Sequence, residues 1–166
     1  MEEKREKVIL LIEDNPDDEE LTLRALAKCG INNKVVVCRD GADALNYIFG
    51  RANYKGRDPD DYPAITLLDL KLPKVDGLTV LERIRGDNRT RMMPVAILTS
   101  SRLEEDLIRS YALGVNSYVR KPVKSELFIE AIRQLGLYWL LLNESPPIVL
   151  EQGSRGQGFT GSGRNL

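Results

Sequence analysis

The chain has 166 residues, with 24 Lys and Arg against 25 Asp and Glu, 2 Cys, 1 Trp and no His. Without histidine there is no Ser-His-Asp or Cys-His dyad, no HExxH zinc site and no internal phosphohistidine, and two cysteines cannot build a zinc cage of about four N/S ligands. A net charge of −1 removes bulk electrostatic attraction as a reason to expect nucleic acid or an anionic membrane as partner.

Taken in chain order, residues 8–12 (VILLI) predict a first strand. Basic residues precede it, but the apolar run is short and meets Glu13-Asp14 directly, without a cleavage site, so it is not expected to be a signal peptide. No run reaches the ~20 apolar residues of a membrane span, and the chain is expected to be cytoplasmic. A helix follows over 16–29, with Asn15 as N-cap, Pro16 at its first position and Gly30 closing it. Its apolar positions are Leu21, Ala25, Leu26 and Cys29. Further strands are predicted at 34–38, 64–70, 95–99 and 117–119. They are continuous and branched rather than alternating, as in strands covered on both faces. Helical patterns fill 41–49, 76–86, 103–113 (Leu107, Ile108, Tyr111) and 124–142. Residues 51–63 are polar and rich in turn formers, and predict a long surface loop. Cys29 and Cys38 read as two reduced, buried thiols. Periodicity is lost from Asn143, and five glycines crowd 153–163. The organisation is therefore one domain over 1–147 and a flexible Gly-rich tail over 148–166. Arg155, Gly156 and Phe159 hint at an RNA-binding tract, but a solvated tail accounts for them better.

Five βα units in strict alternation imply an α/β fold, a doubly wound five-stranded parallel sheet with helices on both faces. In such sheets ligands bind beyond the carboxyl ends of the strands. The first strand delivers Glu13 and Asp14 to that edge, the third Asp69, the fourth Thr99, and the fifth leads to Lys121-Pro122. Singly each has a bland reading: acids beside Asp17, Asp18, Glu19 and Glu20 that complement a helix dipole, or ordinary loop polars. Jointly they suggest a site. Like charges ~4 Å apart cost about 4 kcal/mol at an effective dielectric near 20, so three converging carboxylates are partly protonated or hold a cation. Oxygen donors without His or Cys select a hard ion, Mg²⁺ first. Asp69 is then the natural nucleophile toward phosphorus, with Lys121 and Thr99 neutralising and hydrogen-bonding the transferred group.

Four segments, VILLIEDN at 8–15, LLDLKLPKVDG at 67–77, AILTSS at 96–101 and SYVRKP at 117–122, resemble the receiver domains of two-component response regulators, the CheY-like family. The resemblance covers residue 8 to about 142 and implies a flavodoxin-like (βα)5 receiver fold. It implies that Asp69 is the phosphoacceptor, charged by a sensor histidine kinase. It further implies that Asp14 ligates Mg²⁺ directly, Glu13 acts through water, and the Lys71 carbonyl joins Asp69 among the ligands. Thr99 would be the switch hydroxyl, Tyr118 the aromatic that turns inward with it, and Lys121 the partner of a phosphoryl oxygen, set by a cis Lys121-Pro122 bond. Pro73 and Gly77 would shape the loop after the acceptor. Small Ser100 would leave the phosphoryl group accessible, and Lys71 and Ser101 would tune dephosphorylation. Such a domain is not an enzyme beyond its own phosphotransfer and autodephosphorylation.

The 51–63 loop, Lys71 and the extended final helix (137–147, LYWLLLNESPP) resemble a narrower subgroup, single-domain regulators that partner phytochrome-type histidine kinases. With only a Gly-rich tail after 147, the output is expected to be protein–protein, as a relay intermediate with a downstream phosphotransfer protein or as an adaptor. On the last helix, Phe128, Ile132, Leu135 and Trp139 suffice to cover a sheet, while Leu137, Leu140, Leu141 and Leu142 widen the apolar face. That second face predicts a homodimer through the final helix; the alternative is a tail folded back through Ile148-Val149-Leu150. Two other readings compete. A haloacid-dehalogenase-type phosphatase would need a second Asp where Lys71 stands, and an unphosphorylated docking module would not need an intact site.

Overall fold

In the computed structural model, which describes residues 6–121 and 124–144, strand and helix alternate throughout. The elements are β1 (Ile9–Ile12), α1 (Pro16–Lys28), β2 (Val35–Cys38), α2 (Gly41–Phe49), β3 (Ile65–Leu68), α3 (Gly77–Gly86), β4 (Val95–Thr99), α4 (Glu104–Ala112), β5 (Ser117–Arg120) and α5 (Ser125–Gly136). The 148–166 tail, Pro122 and the Lys121–Pro122 peptide lie outside the described residues.

All five strands pair in parallel in the order β2-β1-β3-β4-β5. β1 sits between β2 and β3, with Ile12 level with Cys38 on one side and Leu68 on the other. Side chains alternate faces along each strand, so one sheet can serve two cores. Leu10, Ile12, Leu68, Val95 and Ile97 pack with Leu45, Ile48, Leu81 and Ile84 of α2 and α3. Ile9, Leu11, Ile65, Leu67 and Leu98 pack with Leu26 of α1 and Phe128 and Ile132 of α5. This is why the strands read as unbroken apolar runs. The chain leaves β1 toward β2 and returns to β3 on the other side, and the carboxyl ends of β1 and β3 flank that reversal.

Each early helix starts on a side-chain cap. Asn15 Oδ1 accepts from the Asp17 and Asp18 amides, Asp40 Oδ1 from Asp43 and Asp76 Oδ1 from Thr79. Gly30 closes the first helical segment at φ 73°, as its sequence position suggests.

Four sequence expectations are corrected or extended by the structure. The first, a surface loop over 51–63, holds, and the loop carries a 3-10 turn, Ala52–Tyr54, and contacts that pin it. Arg57 donates to the carbonyls of Tyr47 (2.8 Å) and Asp61 (2.5 Å) and stacks over the Tyr47 ring at 4.0 Å. Second, the last helix is not α throughout: Leu137–Leu142 is π-helical, and Asn143 N–H reaches Tyr138 O at 2.6 Å. The wider turn carries both Trp139 and Leu140 into the core, so Leu140 belongs there and not to the second face. Leu137, Tyr138, Leu141 and Leu142 stay exposed. Third, Ile108 and Tyr111 of α4 are exposed; that helix buries Ser110 instead. Fourth, Cys38 is buried but Cys29 only half-buried.

Candidate functional site

β1 ends by placing Glu13 and Asp14 at the carboxyl edge. The Glu13 amide donates to Cys38 O at 3.0 Å, which prolongs the sheet by one residue and turns the Glu13 side chain inward, where it is 2% exposed. Asp14, next in the alternation, points outward and is exposed. Beside them the Asp69 amide donates to Ile12 O at 3.0 Å, so Asp69 continues β3 against β1. Carboxylate oxygens of Glu13, Asp14 and Asp69 all lie within 4.8 Å of one another. Such a donor set, oxygen only and strongly anionic, fits a hard divalent cation such as Mg²⁺.

Charge compensation within the chain comes from Lys121. Its ammonium donates to Glu13 Oε2 at 2.6 Å, to Asp18 Oδ2 at 2.9 Å and to Asp69 Oδ2 at 3.0 Å. Burial works against the charged amine, but these carboxylates outweigh it and hold Lys121 above its ordinary pKa. For Glu13 burial prevails: desolvation, aided by the like charge of Asp69, pushes its carboxyl up to about 7 despite the Lys121 contact and the Asn15 amide on Oε1.

The loop after Asp69 is tightly folded. The Lys71 amide donates to Asp69 Oδ1 at 3.2 Å, leaving the Lys71 side chain exposed. Pro73 O accepts from Val75 N–H at 2.8 Å, a γ-turn that puts Lys74 at φ 67°, and also from Gly41 N–H at 3.2 Å. Gly77 N–H returns to Leu70 O at 2.8 Å. A Cβ on Gly77 would lie 2.2 Å from Asp69 O, so only glycine lets α3 start this close to the strand end. Pro73 and Gly77 both lie in this turn.

Thr99 ends β4 on the same edge and is fully buried; its Oγ1 accepts from Ser101 N–H at 3.2 Å, and its carbonyl accepts from Lys121 N–H at 2.8 Å. Tyr118 is level with Ile97 on the adjacent strand. Its buried hydroxyl has no hydrogen-bond partner among the described residues, and desolvation followed by the Asp106 charge raises its pKa. An unpartnered phenol is costly to bury.

The structure therefore gathers Glu13, Asp14, Asp69 and Lys121 into contact and places Lys71, Pro73, Gly77, Thr99 and Tyr118 around them. Two participants escape sequence reading. Asp18, one of four consecutive acids that suit a helix N-terminus, reaches Lys121 instead. Asp106 of α4 accepts from Ser101 Oγ at 2.6 Å, beside the Thr99 backbone. The Asp18 signal in the sequence is its spacing, one turn after Asp14, and nothing in the sequence ties it to residue 121.

Comparison with known proteins bears on this geometry. The profile of the response regulator receiver domain matches residues 9–133. FilR2 of Methanothrix harundinacea, described as a probable methanogenesis regulatory protein, is 40% identical over 139 residues, covering 84% of this chain and 87% of its own length. Response regulator Rcp1 of Synechocystis sp. is 34% identical over 134 residues, 81% of this chain and 89% of Rcp1. The Mn²⁺-bound structure of Rcp1 superposes with a TM-score of 0.77 at 33% identity, over 85% of this chain and 99% of the other. The bacteriophytochrome response regulator AtBRR is 56% identical with a TM-score of 0.68, over 84% of this chain and 99% of that one.

Proposed function

The chain belongs to the response regulator receiver family, and from that premise we propose that Asp69 is the side chain that accepts a phosphoryl group from the phosphohistidine of a sensor kinase. In this step the N–P bond of the donor breaks, an O–P bond forms on the Asp69 carboxylate, and the donor imidazole keeps the electron pair and takes up a proton. The observation that carries the reading is the Lys121 ammonium bound at once to Glu13 and Asp69, with Asp14 completing the acidic triad.

Glu13, Asp14 and Asp69, with the Lys71 carbonyl, would hold Mg²⁺, which supplies positive charge to the phosphoryl oxygens when bound. Lys121 exchanges its Asp69 contact for a phosphoryl oxygen. Thr99 turns its hydroxyl toward another, and Tyr118, whose own hydroxyl is unpartnered, follows into the space Thr99 vacates. Pro73 and Gly77 keep the loop from moving the acceptor. Lys71 and Ser101, two residues beyond the acceptor and the switch hydroxyl, set how fast water removes the phosphoryl group.

The kinase is of the phytochrome type in this reading, supported by the 56% identity to a bacteriophytochrome response regulator. The chain works in the cytoplasm, with a further phosphotransfer protein or an adaptor target downstream. The exposed Leu137, Tyr138, Leu141 and Leu142 support a homodimer through the end of the last helix; a chain that sediments as a monomer at high micromolar concentration, phosphorylated or not, would end that part. Incubation with acetyl phosphate and Mg²⁺ tests the centre of the proposal. The expected product is an acid-stable, base-labile acyl phosphate that is absent from Asp69→Asn, and an unlabelled wild-type chain refutes it.

A further inference from the structure

Lys121 has three N–H donors, and each is taken by a different carboxylate: Glu13 on β1, Asp69 after β3 and Asp18 on α1. When Asp69 becomes an acyl phosphate it loses its anionic carboxylate, and the donor that faced it must turn to the phosphoryl group. The other two contacts then decide where the ammonium stays. Glu13 is shared, because it also belongs to the carboxylate triad. Asp18 is not a member of that triad, and its backbone is fixed by the Asn15 cap and by its carbonyl accepting from Thr22 Oγ1 at 2.8 Å. We propose that Asp18 is a positioning residue for the phosphotransfer, an anchor on α1 that holds the Lys121 ammonium at the carboxyl edge while its Asp69 contact is exchanged for a phosphoryl oxygen.

A general helix-dipole role does not account for this contact. Asp17 and Glu19 share the first turn of α1 with Asp18. Glu19 instead pairs with Arg39 at 2.7 Å, and Asp17 makes no hydrogen bond to Lys121 among the described residues. Only Asp18 turns toward the site. Its side chain remains about one-third exposed, so the contact is of intermediate strength, between a surface pair and a buried charged hydrogen bond.

The inference rests on Asp69 being the phosphoacceptor, and its test separates the two. The Nζ resonance of Lys121 in the ¹⁵N-lysine-labelled, unphosphorylated chain is assigned by its loss in Lys121→Arg. It should be slowly exchanging in wild type and in Asp17→Asn, broadened by exchange in Asp18→Asn, and restored in Asp18→Glu. Labelling by acetyl phosphate with saturating Mg²⁺ should slow roughly three- to tenfold in Asp18→Asn, stay at the wild-type rate in Asp17→Asn, and largely recover in Asp18→Glu. A labelled wild type with unchanged Asp18→Asn rate and Lys121 signal overturns this inference alone. A wild type that takes no label overturns the phosphoacceptor reading, and with it any part for Asp18 in the reaction.

Discussion

Gly77→Ala should destabilise the fold, although it places the best helix-forming residue at the first position of a helix. A methyl carbon built there would stand 2.2 Å from Asp69 O, 2.6 Å from Leu70 Cα and 3.0 Å from the Asp69 carbonyl carbon. Carbon makes comfortable contact at roughly 3.5 Å, so one of the two segments must retreat by about 1 Å. Neither is free to do so. Asp69 N–H is bonded to Ile12 O in the sheet, and Gly77 N–H to Leu70 O across the turn. Overpacking against side chains costs ~1–3 kcal/mol; against anchored backbone we expect about 3 kcal/mol. The gain in helix propensity returns at most ~1 kcal/mol, leaving a net loss of about 2 kcal/mol. At a urea m-value of ~1–3 kcal/mol/M, the unfolding midpoint falls by roughly 0.7–2 M. Gly86→Ala is the control, since it lies in the same helix and nothing stands within 4 Å of its Cβ; it should be neutral or stabilising by up to ~1 kcal/mol. Urea unfolding of both chains, followed by circular dichroism, decides the matter. Midpoints within about 0.3 M of each other would refute the crowding argument. Acetyl phosphate labelling of Gly77→Ala should also fall, because the displaced atom is the acceptor's own carbonyl.

Glu13 is raised from its ordinary 4.5 to about 7 in the folded chain. The stability this contributes is complete below about pH 4.5 and lost as pH rises past 7, at most on the order of 3 kcal/mol. Melting curves in chelator should therefore fall between pH 5 and 8 while curves in Mg²⁺ do not, and parallel curves would count against the Glu13 assignment. Burial, followed by the Asp43 charge, pushes the Cys38 thiol up to about 12. A disulfide-exchange reagent at pH 8 should then titrate one thiol, Cys29, in the folded chain and two in denaturant; two in the native chain would contradict the packing of β2. Ile132→Ala, at a fully buried position, should cost about 3 kcal/mol, whereas Leu141→Ala, 73% exposed, should leave the unfolding midpoint of the monomer unchanged. Comparable losses in both would refute the π-helical placement of residues 137–142.

Much of the fold was legible because parallel strands buried on two faces leave a plain mark, a run of branched apolar residues with a polar residue at its carboxyl end. VILLI before Glu13 and AITLL before Asp69 each carry it, and both acids do lie where their strands stop. The caps were legible for a similar reason, since an N-cap acts on amides two or three residues away. The errors fall where local pattern meets a choice of partners. Ile108 and Tyr111 have helical spacing, but spacing alone does not say whether a neighbour covers that face, and none of the described residues buries them. An α-helical period points Leu140 outward, whereas the π-helical winding turns it inward.

The amino-acid sequence by itself determined which residues arrive at the carboxyl edge, because strand length and termination are local properties of the chain. It also determined that no histidine of this chain can supply or receive the phosphoryl group. Only the tertiary structure decided how those residues share charge. Lys121 follows an edge strand, two positions across the sheet from β3, and its long side chain could have faced solvent. Its contacts with Glu13, Asp18 and Asp69 span 108, 103 and 52 residues of sequence. No local pattern encodes an interaction between groups that close to 3 Å only after the sheet has assembled, and Coulomb energy in a half-buried cleft depends on that final distance.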